Sequence, residues 1–208
     1  MTESARRGLL TVGHSNHEAG LFLELLARHG VTAIADVRSQ PYSQFNPQFN
    51  RETLEHVLAK GCVHYVFLGR ELGARRAERE CYVSGKARYE LIARLPLFMQ
   101  GLERLRHGAA AQRIALLCSE KDPLTCHRFI LICRQLRGEF AIEHILEDGR
   151  LEAQAAAEDR LLELVGLPTA DLFQSKEQLV EQAYDKPGEA IAFVEAADSP
   201  VSPSRATA

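Results

Sequence analysis

Two cysteines, a histidine, an arginine and two carboxylates lie within one short stretch of the chain, Leu-Cys-Ser-Glu-Lys-Asp-Pro-Leu-Thr-Cys-His-Arg at residues 117–128. Thiols and imidazoles serve proteins as nucleophiles, as proton carriers and as ligands of soft metal ions. An apolar run at 114–117 predicts a buried strand that leads into this stretch. Asp122 and Pro123 predict the start of a helix over 123–136, as its N-cap and its first helical residue.

Three chemistries are open to Cys118, Cys126 and His127. In the first, two thiolates and an imidazole bind zinc or iron and leave a fourth position for water or substrate. A helix over 123–136 disfavours this chemistry, because it turns the adjacent side chains of Cys126 and His127 about 100° apart. In the second, one cysteine is a nucleophile, with a histidine as its base and a carboxylate that orients the base. In the third, the cysteines are structural and the charged residues bind a polar ligand. The candidate catalytic residues are Cys118, Glu120, Cys126, His127, His14 and Asp36.

Strand and helix patterns alternate along the chain and place this stretch in a sheet. Strands are predicted at 9–12, 31–37, 63–68, 114–117 and 141–146. Helices are predicted at 18–29, 51–60, 88–106 with a kink or break at Pro96, 123–136 and 158–165. This order predicts an α/β fold, a single three-layer domain with a mainly parallel five-stranded sheet and helices on both faces.

The same patterns divide the chain into three parts. Residues 1–8 are an N-terminal extension, residues 9–166 form the α/β domain, and residues 167–208 form a C-terminal tail. Within the tail a helix is predicted at 175–184, and the Ser-, Pro- and Ala-rich end at 198–208 is predicted to be disordered.

Polar residues follow four of the predicted strands, where each strand ends. Because the carboxyl ends of parallel strands share one edge of a sheet, these residues are expected to converge and form a binding site. Arginines there would hold phosphate or carboxylate groups. The candidate ligand-binding residues are Ser15, Asn16, Arg38, Ser39, Ser43, Gly69, Arg70, Arg75 and Arg128.

Several of these residues also have a purely structural interpretation. Asp36 could pair with Arg38 or cap a loop, and His14 could be a buried histidine with satisfied hydrogen bonds. The Arg/Glu-rich segment at 70–85 is either a solvated loop or a lid that brings an arginine to an anionic ligand.

The bulk composition of the 208 residues is that of a soluble globular protein, with 46% hydrophobic and 25% charged residues. A formal net charge of −3 gives no argument for a basic nucleic-acid surface. No apolar run approaches the roughly 18 residues that span a bilayer, so no membrane association is expected. The five cysteines are an odd number, and the short polar stretch at 1–8 is not expected to be a signal peptide. The sequence therefore predicts a cytoplasmic protein with reduced thiols.

Five blocks in order resemble one known family. They are Val-Gly-His-Ser-Asn at 12–16, Asp-Val-Arg-Ser-Gln-Pro-Tyr-Ser at 36–43, Pro-Gln-Phe at 47–49, Leu-Gly-Arg-Glu-Leu-Gly at 68–73 and the cysteine-containing block at 117–128. Together they resemble the family of the domain of unknown function 488, over about residues 9–165. Family members often carry Gly-Gly-Arg where this chain has Gly73, Ala74 and Arg75. The resemblance implies that the polar clusters are the family's motif residues, and it implies no particular reaction or cofactor.

These observations favour a pocket for a small anionic, nucleotide-like ligand, with enzymatic chemistry at the Cys/His/carboxylate set. The alternatives are a nucleic-acid-binding or nucleic-acid-processing module, in which bases stack on Tyr42, Phe45 or Phe49, and a protein that senses metal or redox state through its thiols. A rhodanese-like sulfur carrier is disfavoured, because Cys126 is expected inside a helix. No oligomeric state follows from the sequence.

Overall fold

A six-stranded sheet forms the centre of the molecule. The computed structural model of the chain describes residues 7–194, apart from the side chains of Arg7, Glu189 and Ala190. The strands are β1 (Arg7–Gly13), β2 (Ala33–Asp36), β3 (His64–Phe67), β4 (Tyr82–Val83), β5 (Lys86–Ala87), β6 (Ile114–Cys118), β7 (Phe140–Ile145) and β8 (Leu151–Ala153). The α-helices are α1 (Ala19–Arg28), α2 (Arg51–Lys60), α3 (Gly69–Leu72), α4 (Tyr89–Ile92), α5 (Pro96–Gly108), α6 (Arg134–Leu136), α7 (Gln154–Leu164) and α8 (Lys176–Ile191).

The strand order of the central sheet is β3-β2-β6-β1-β7-β8, and its first five strands are parallel. The α/β fold and the mainly parallel sheet are therefore confirmed. The predicted number of strands is corrected from five to six, because β8 pairs antiparallel with β7 at one edge. β8 has only three residues and no buried position, so it gives no period-two pattern long enough to recognise. A separate hairpin, β4 with β5, interrupts the segment predicted as a loop at 70–85.

Helices cover both faces of the sheet and create two apolar clusters. On one face Phe22 of α1 and Leu54 of α2 pack against Val12 of β1. On the other face Phe98 of α5 and Leu161 of α7 pack with residues of the 128–136 segment. Because β1, β2, β3 and β6 run parallel, their carboxyl ends lie at one edge of the sheet.

The segment after β6 differs from the predicted continuous helix over 123–136. Pro123–Thr125 is a single 3₁₀ turn, in which the Asp122 carboxylate accepts a hydrogen bond from the Leu124 N–H. Cys126 then returns to extended backbone, with φ −129° and ψ 141°. A π-helical stretch, Arg128–Cys133, and α6 follow. Cys126 caps this second helical stretch, since its carbonyl accepts hydrogen bonds from two N–H groups in the following turn. The prediction that Cys126 lies inside a helix is therefore wrong.

The predicted helix at 88–106 is divided, since α4 ends before α5 begins at Pro96. Pro96 has no N–H to donate and is accommodated at the first position of the second helix.

The C-terminal part of the chain contributes a long helix that packs on the sheet domain. α8 begins after Ser175, which forms a capping box with Gln178, and it contains the fully buried Tyr184. The division at residue 166 stays a prediction, and the disorder expected at 198–208 lies outside the described residues. Within residues 7–194, no helix combines the length and the apolar character needed to cross a membrane.

Candidate functional site

A cavity lies between the carboxyl ends of β2 and β6, where the chain leaves the two neighbouring strands toward opposite faces. After β2 it continues to α2 on one face, and after β6 it continues to the π-helical stretch on the other. Such a switch point opens a crevice beyond the strand ends, and ligands of open α/β sheets bind there. The cavity has a volume of about 390 Å³. Its lining residues are Arg38, Ser39, Gln40, Tyr42, Ser43, Ala74, Arg75, Tyr89, Cys118, Ser119, Glu120, Thr125, Cys126, His127, Ile191 and Phe193.

Cys118, Cys126 and His127 form a compact cluster in this cavity. The Nδ1 atom of His127 lies 3.6 Å from the Cys118 Sγ and 3.9 Å from the Cys126 Sγ. The three potential ligand atoms all lie within 4.8 Å of one another. The cluster forms because Cys126 is extended rather than helical, so that its side chain and the ring of His127 converge. The sequence-based expectation that these two side chains diverge is corrected by this geometry.

The ring of His127 is held in a defined orientation. Its Nε2 lies 3.1 Å from the Val37 carbonyl oxygen, which can only accept a hydrogen bond. In the neutral ring, Nε2 therefore carries the proton and the lone pair of Nδ1 faces the two sulfurs. The backbone N–H of Arg128 donates to the Cys126 Sγ at 3.4 Å. Both sulfurs and the imidazole thus have ordered partners.

The two thiols of the cluster have pKa values shifted in opposite directions. A hydrogen bond from Cys126 and the charge of His127 hold the pKa of Cys118 well below its usual value, in spite of burial. Burial and the neighbouring Cys118 raise the pKa of Cys126 well above its usual value. Burial alone would lower the pKa of His127, but the Cys118 thiolate outweighs it and raises that pKa. These opposite shifts make Cys118 the more acidic of the two thiols.

Charged and hydroxyl groups surround the cluster at the mouth of the cavity. The Ser39 Oγ accepts the Arg75 backbone N–H at 2.9 Å, which brings the 70–85 segment to the loop after β2. The Arg75 guanidinium donates to the Gln40 side chain at 2.8 Å and lies 4.9 Å from the centre of the Phe193 ring. Desolvation and the charge of Cys118 raise the pKa of Glu120, which also lines the cavity. Arg75 is thus a cation at the mouth with no ion-pair partner among residues 7–194.

A fully buried ion pair supports the cavity from below. The Asp36 carboxylate accepts hydrogen bonds from Arg38 Nε at 2.9 Å, from Arg38 Nη2 at 2.6 Å and from the Tyr65 hydroxyl at 2.8 Å. Arg38 reaches the cavity wall, but its guanidinium charge is matched by Asp36. Asp36 therefore pairs with Arg38, as its structural interpretation predicts.

Arg128 and two glycines shape the loops around the cavity. The Arg128 side chain is fully buried, and it donates to the carbonyls of Glu120 and Lys121 at 2.7 and 3.3 Å. Gly13 allows close approach to the same loop, because a Cβ there would lie 1.8 Å from the Glu120 carbonyl oxygen. At Gly69 a Cβ would lie 2.0 Å from the Arg38 carbonyl oxygen. These residues hold backbone in place rather than face the cavity.

The predicted site residues fall into two groups. Those that line the cavity are Arg38, Ser39, Ser43, Arg75, Cys118, Glu120, Cys126 and His127. Those that do not are His14, Ser15, Asn16, Asp36, Gly69, Arg70 and Arg128. His14 is buried and stacks on Phe49 with ring centres 4.4 Å apart, and burial lowers its pKa to about 4. Arg70 is exposed and lies off the cavity.

Sequence reasoning missed the lining residues that come from distant elements. Tyr89 lies in the first turn of the helix predicted at 88–106, and nothing in the neighbouring sequence marks it as a cavity residue. Ile191 and Phe193 lie in the predicted tail, yet the Phe193 carbonyl accepts the Ala87 N–H at 2.9 Å and so places the end of α8 against β5. Ile191 and Phe193 line the cavity because of how α8 packs, and the local sequence does not indicate that packing.

Comparison with known proteins identifies the family. The model of the domain of unknown function DUF488 matches residues 19–134, which is more than half of the 208-residue chain. The chain belongs to the DUF488 family. The matched residues include all three members of the Cys118, Cys126 and His127 cluster, whereas Ile191 and Phe193 lie beyond the DUF488 match. No curated protein and no solved structure matches the chain.

Proposed function

We propose that this DUF488 protein binds a small anionic ligand in the cavity between β2 and β6 and brings it to the Cys118, Cys126 and His127 cluster for reaction. The observation that supports the proposal most strongly is that the Arg75 cation and the buried cluster line the same cavity. A volume of about 390 Å³ suits a metabolite or a mononucleotide.

Arg75 supplies the charge that selects an anion. Its guanidinium is a fork of donors that matches a carboxylate or phosphate group, and stacking on Phe193 limits its motion. Ser43, Ser119 and Glu120 line the same cavity, where the two hydroxyls would donate hydrogen bonds to the ligand and Glu120 would serve as a proton carrier. Arg38 contributes less charge to the ligand, because Asp36 neutralises it.

The test compares ligand-induced stabilisation in the wild type and in two arginine variants. The panel contains inorganic phosphate, malonate, adenosine monophosphate and uridine monophosphate, and the readout is the shift in Tm confirmed by calorimetric titration. We expect a panel member to bind the wild type and the Arg70→Ala variant alike, and to bind Arg75→Ala at least about tenfold more weakly, since a charge-assisted pair contributes more than about 1.4 kcal/mol. Equal binding by all three proteins, or no binding to the wild type, contradicts the proposal.

Binding of single-stranded nucleic acid is a second candidate function with less support. Tyr42, which lines the cavity, and Phe45 of the same loop are 57% and 93% exposed, as rings that stack on bases would have to be. The loop over 39–50, however, contains no Lys or Arg to hold phosphates. Single-stranded DNA and RNA therefore enter the same assay as competitors, and we expect neither to displace the small anion.

A further inference from the structure

Three soft donor groups in the cavity meet the geometric requirements of a metal site. We propose that Cys118, Cys126 and His127 bind one transition-metal ion of the zinc class, with one coordination position open to the cavity. The ion would be a cofactor for the ligand-binding function proposed above, and its role toward the anion rests on that proposed function. The binding of the ion itself depends only on the three residues.

The interatomic distances support this assignment. A tetrahedral zinc ion has Zn–S distances of about 2.3 Å and Zn–N distances of about 2.0–2.1 Å, which places its sulfur and nitrogen ligands about 3.5–3.6 Å apart. The observed S···N separations are 3.6 and 3.9 Å. The S···N separations therefore need to change by only a few tenths of an ångström. The two sulfurs, which lie within 4.8 Å of each other, would have to lie about 3.8 Å apart around the ion.

The partners of the donor atoms also fit metal ligands. A metal-binding histidine commonly donates its other ring N–H to a carbonyl or carboxylate, as His127 Nε2 does to the Val37 carbonyl. The N–H of Arg128 directed at the Cys126 sulfur is an outer contact of the same type. A nucleophilic thiolate needs one cysteine and one histidine, whereas here a second cysteine converges on the same Nδ1 atom.

The position of the cluster in the fold is that of a site with one open side. Cys118 and Cys126 are 4% and 1% exposed, so protein atoms surround the two sulfurs except toward the cavity that they line. All three residues line the cavity, so a ligand atom or water could complete the coordination sphere. A three-ligand site of this kind is the arrangement of catalytic rather than structural zinc.

The experiment measures metal content in full-length protein purified without an affinity tag. We expect about one equivalent of zinc or iron per chain by mass spectrometry, less than a tenth of that in Cys118→Ser and Cys126→Ser, and full occupancy in the matched control Cys62→Ser, whose cysteine is exposed and distant in sequence. Metal-stripped wild type titrated with Co²⁺ should show intense tetrahedral d–d bands and a thiolate-to-cobalt band at one equivalent. The cobalt titration uses wild-type protein and therefore tests the metal site even if a cysteine variant fails to fold.

Two results overturn the metal site. One is a wild type that takes up neither zinc nor Co²⁺ with a thiolate band, and the other is a folded Cys118→Ser that retains the ion. Anion binding measured in the same samples separates this inference from the proposed function. Arg75→Ala should keep the metal and lose the anion, and anion binding by a wild type that takes up no metal would leave the proposed function standing alone.

Discussion

At the scale of single residues, the buried carboxylate of Asp36 holds the guanidinium of Arg38, one of the residues that line the cavity. The side chains of Asp36 and Arg38 are 0% and 5% exposed, and two hydrogen bonds join them. We expect Asp36→Asn to lower the free energy of unfolding by about 3–5 kcal/mol, because the Arg38 charge stays buried without its partner. Urea unfolding measures the loss.

The matched control is Asp148→Asn. Asp148 pairs with Arg150 at the same spacing along the chain, but their side chains are 52% and 78% exposed, so no measurable loss is expected. Equal losses of unfolding free energy in the two variants would show that burial does not make the Asp36 pair more important for stability than the exposed pair.

Residue types were the most informative part of the sequence for the candidate site. The spacing of thiols, imidazole and carboxylates after β6 indicated where chemistry would concentrate, and the structure brings eight of the predicted residues to one cavity. The sequence could not separate side chains that face a cavity from those that hold loops. Arg128 and Arg75 look alike in sequence, yet one is fully buried against carbonyls and the other is exposed at the mouth.

At the scale of elements, α8 is docked through a buried polar contact. The Tyr184 hydroxyl donates to the Glu158 carboxylate at 2.9 Å and accepts from the Gln154 side-chain amide at 2.7 Å. We expect Tyr184→Phe to lower the free energy of unfolding by about 1–3 kcal/mol, because the Gln154 donor loses a partner in a buried place. Chemical denaturation of both proteins measures this loss.

The comparison for this prediction is Tyr42→Phe. The Tyr42 hydroxyl also bonds a carboxylate, that of Glu52, but at an exposed position, so stability should stay unchanged. A Tyr184→Phe protein as stable as the wild type would mean that the Tyr184 hydroxyl contributes nothing to the docking of α8.

Helices and strands with a long, regular hydrophobic pattern were predictable from the sequence. The interrupted helical segment at 123–136 was not. The helix predicted at 51–60 matches α2, and the strands before each polar cluster form. Asp122 and Pro123 do start a helical turn, but the signal says nothing about how far it continues. The extended backbone of Cys126 and the π-helical stretch depend on tertiary contacts, and they are what bring the cluster together.

At the scale of the whole molecule, a buried histidine links the sheet to the C-terminal helices. His144 of β7 lies 2.8 Å from the Thr11 hydroxyl and 3.0 Å from the Gln154 side chain, which also contacts Tyr184. Burial lowers the pKa of His144 to about 3 from its ordinary 6.5. The folded state therefore excludes a proton that the unfolded state accepts below pH 6.5.

This difference predicts a pH dependence of stability. The contribution of neutral His144 is complete above pH 6.5 and is lost as the pH falls toward 3, by up to about 1.4 kcal/mol per pH unit. We expect a His144→Gln variant to show a shallower fall in stability with acidification over this range, as measured by urea unfolding at a series of pH values. Identical slopes would show that His144 does not set this dependence.

The most direct test of the account asks whether the anion and the cysteine cluster share one cavity. Metal-stripped protein is alkylated with iodoacetamide in the presence and absence of the tightest-binding anion from the panel, and the modification of each cysteine is followed by mass spectrometry. We predict that the anion slows modification of Cys118 and Cys126 while the exposed Cys62 reacts unchanged. Unaltered rates at Cys118 and Cys126 with the anion saturating would contradict the account, because the ligand would then bind elsewhere.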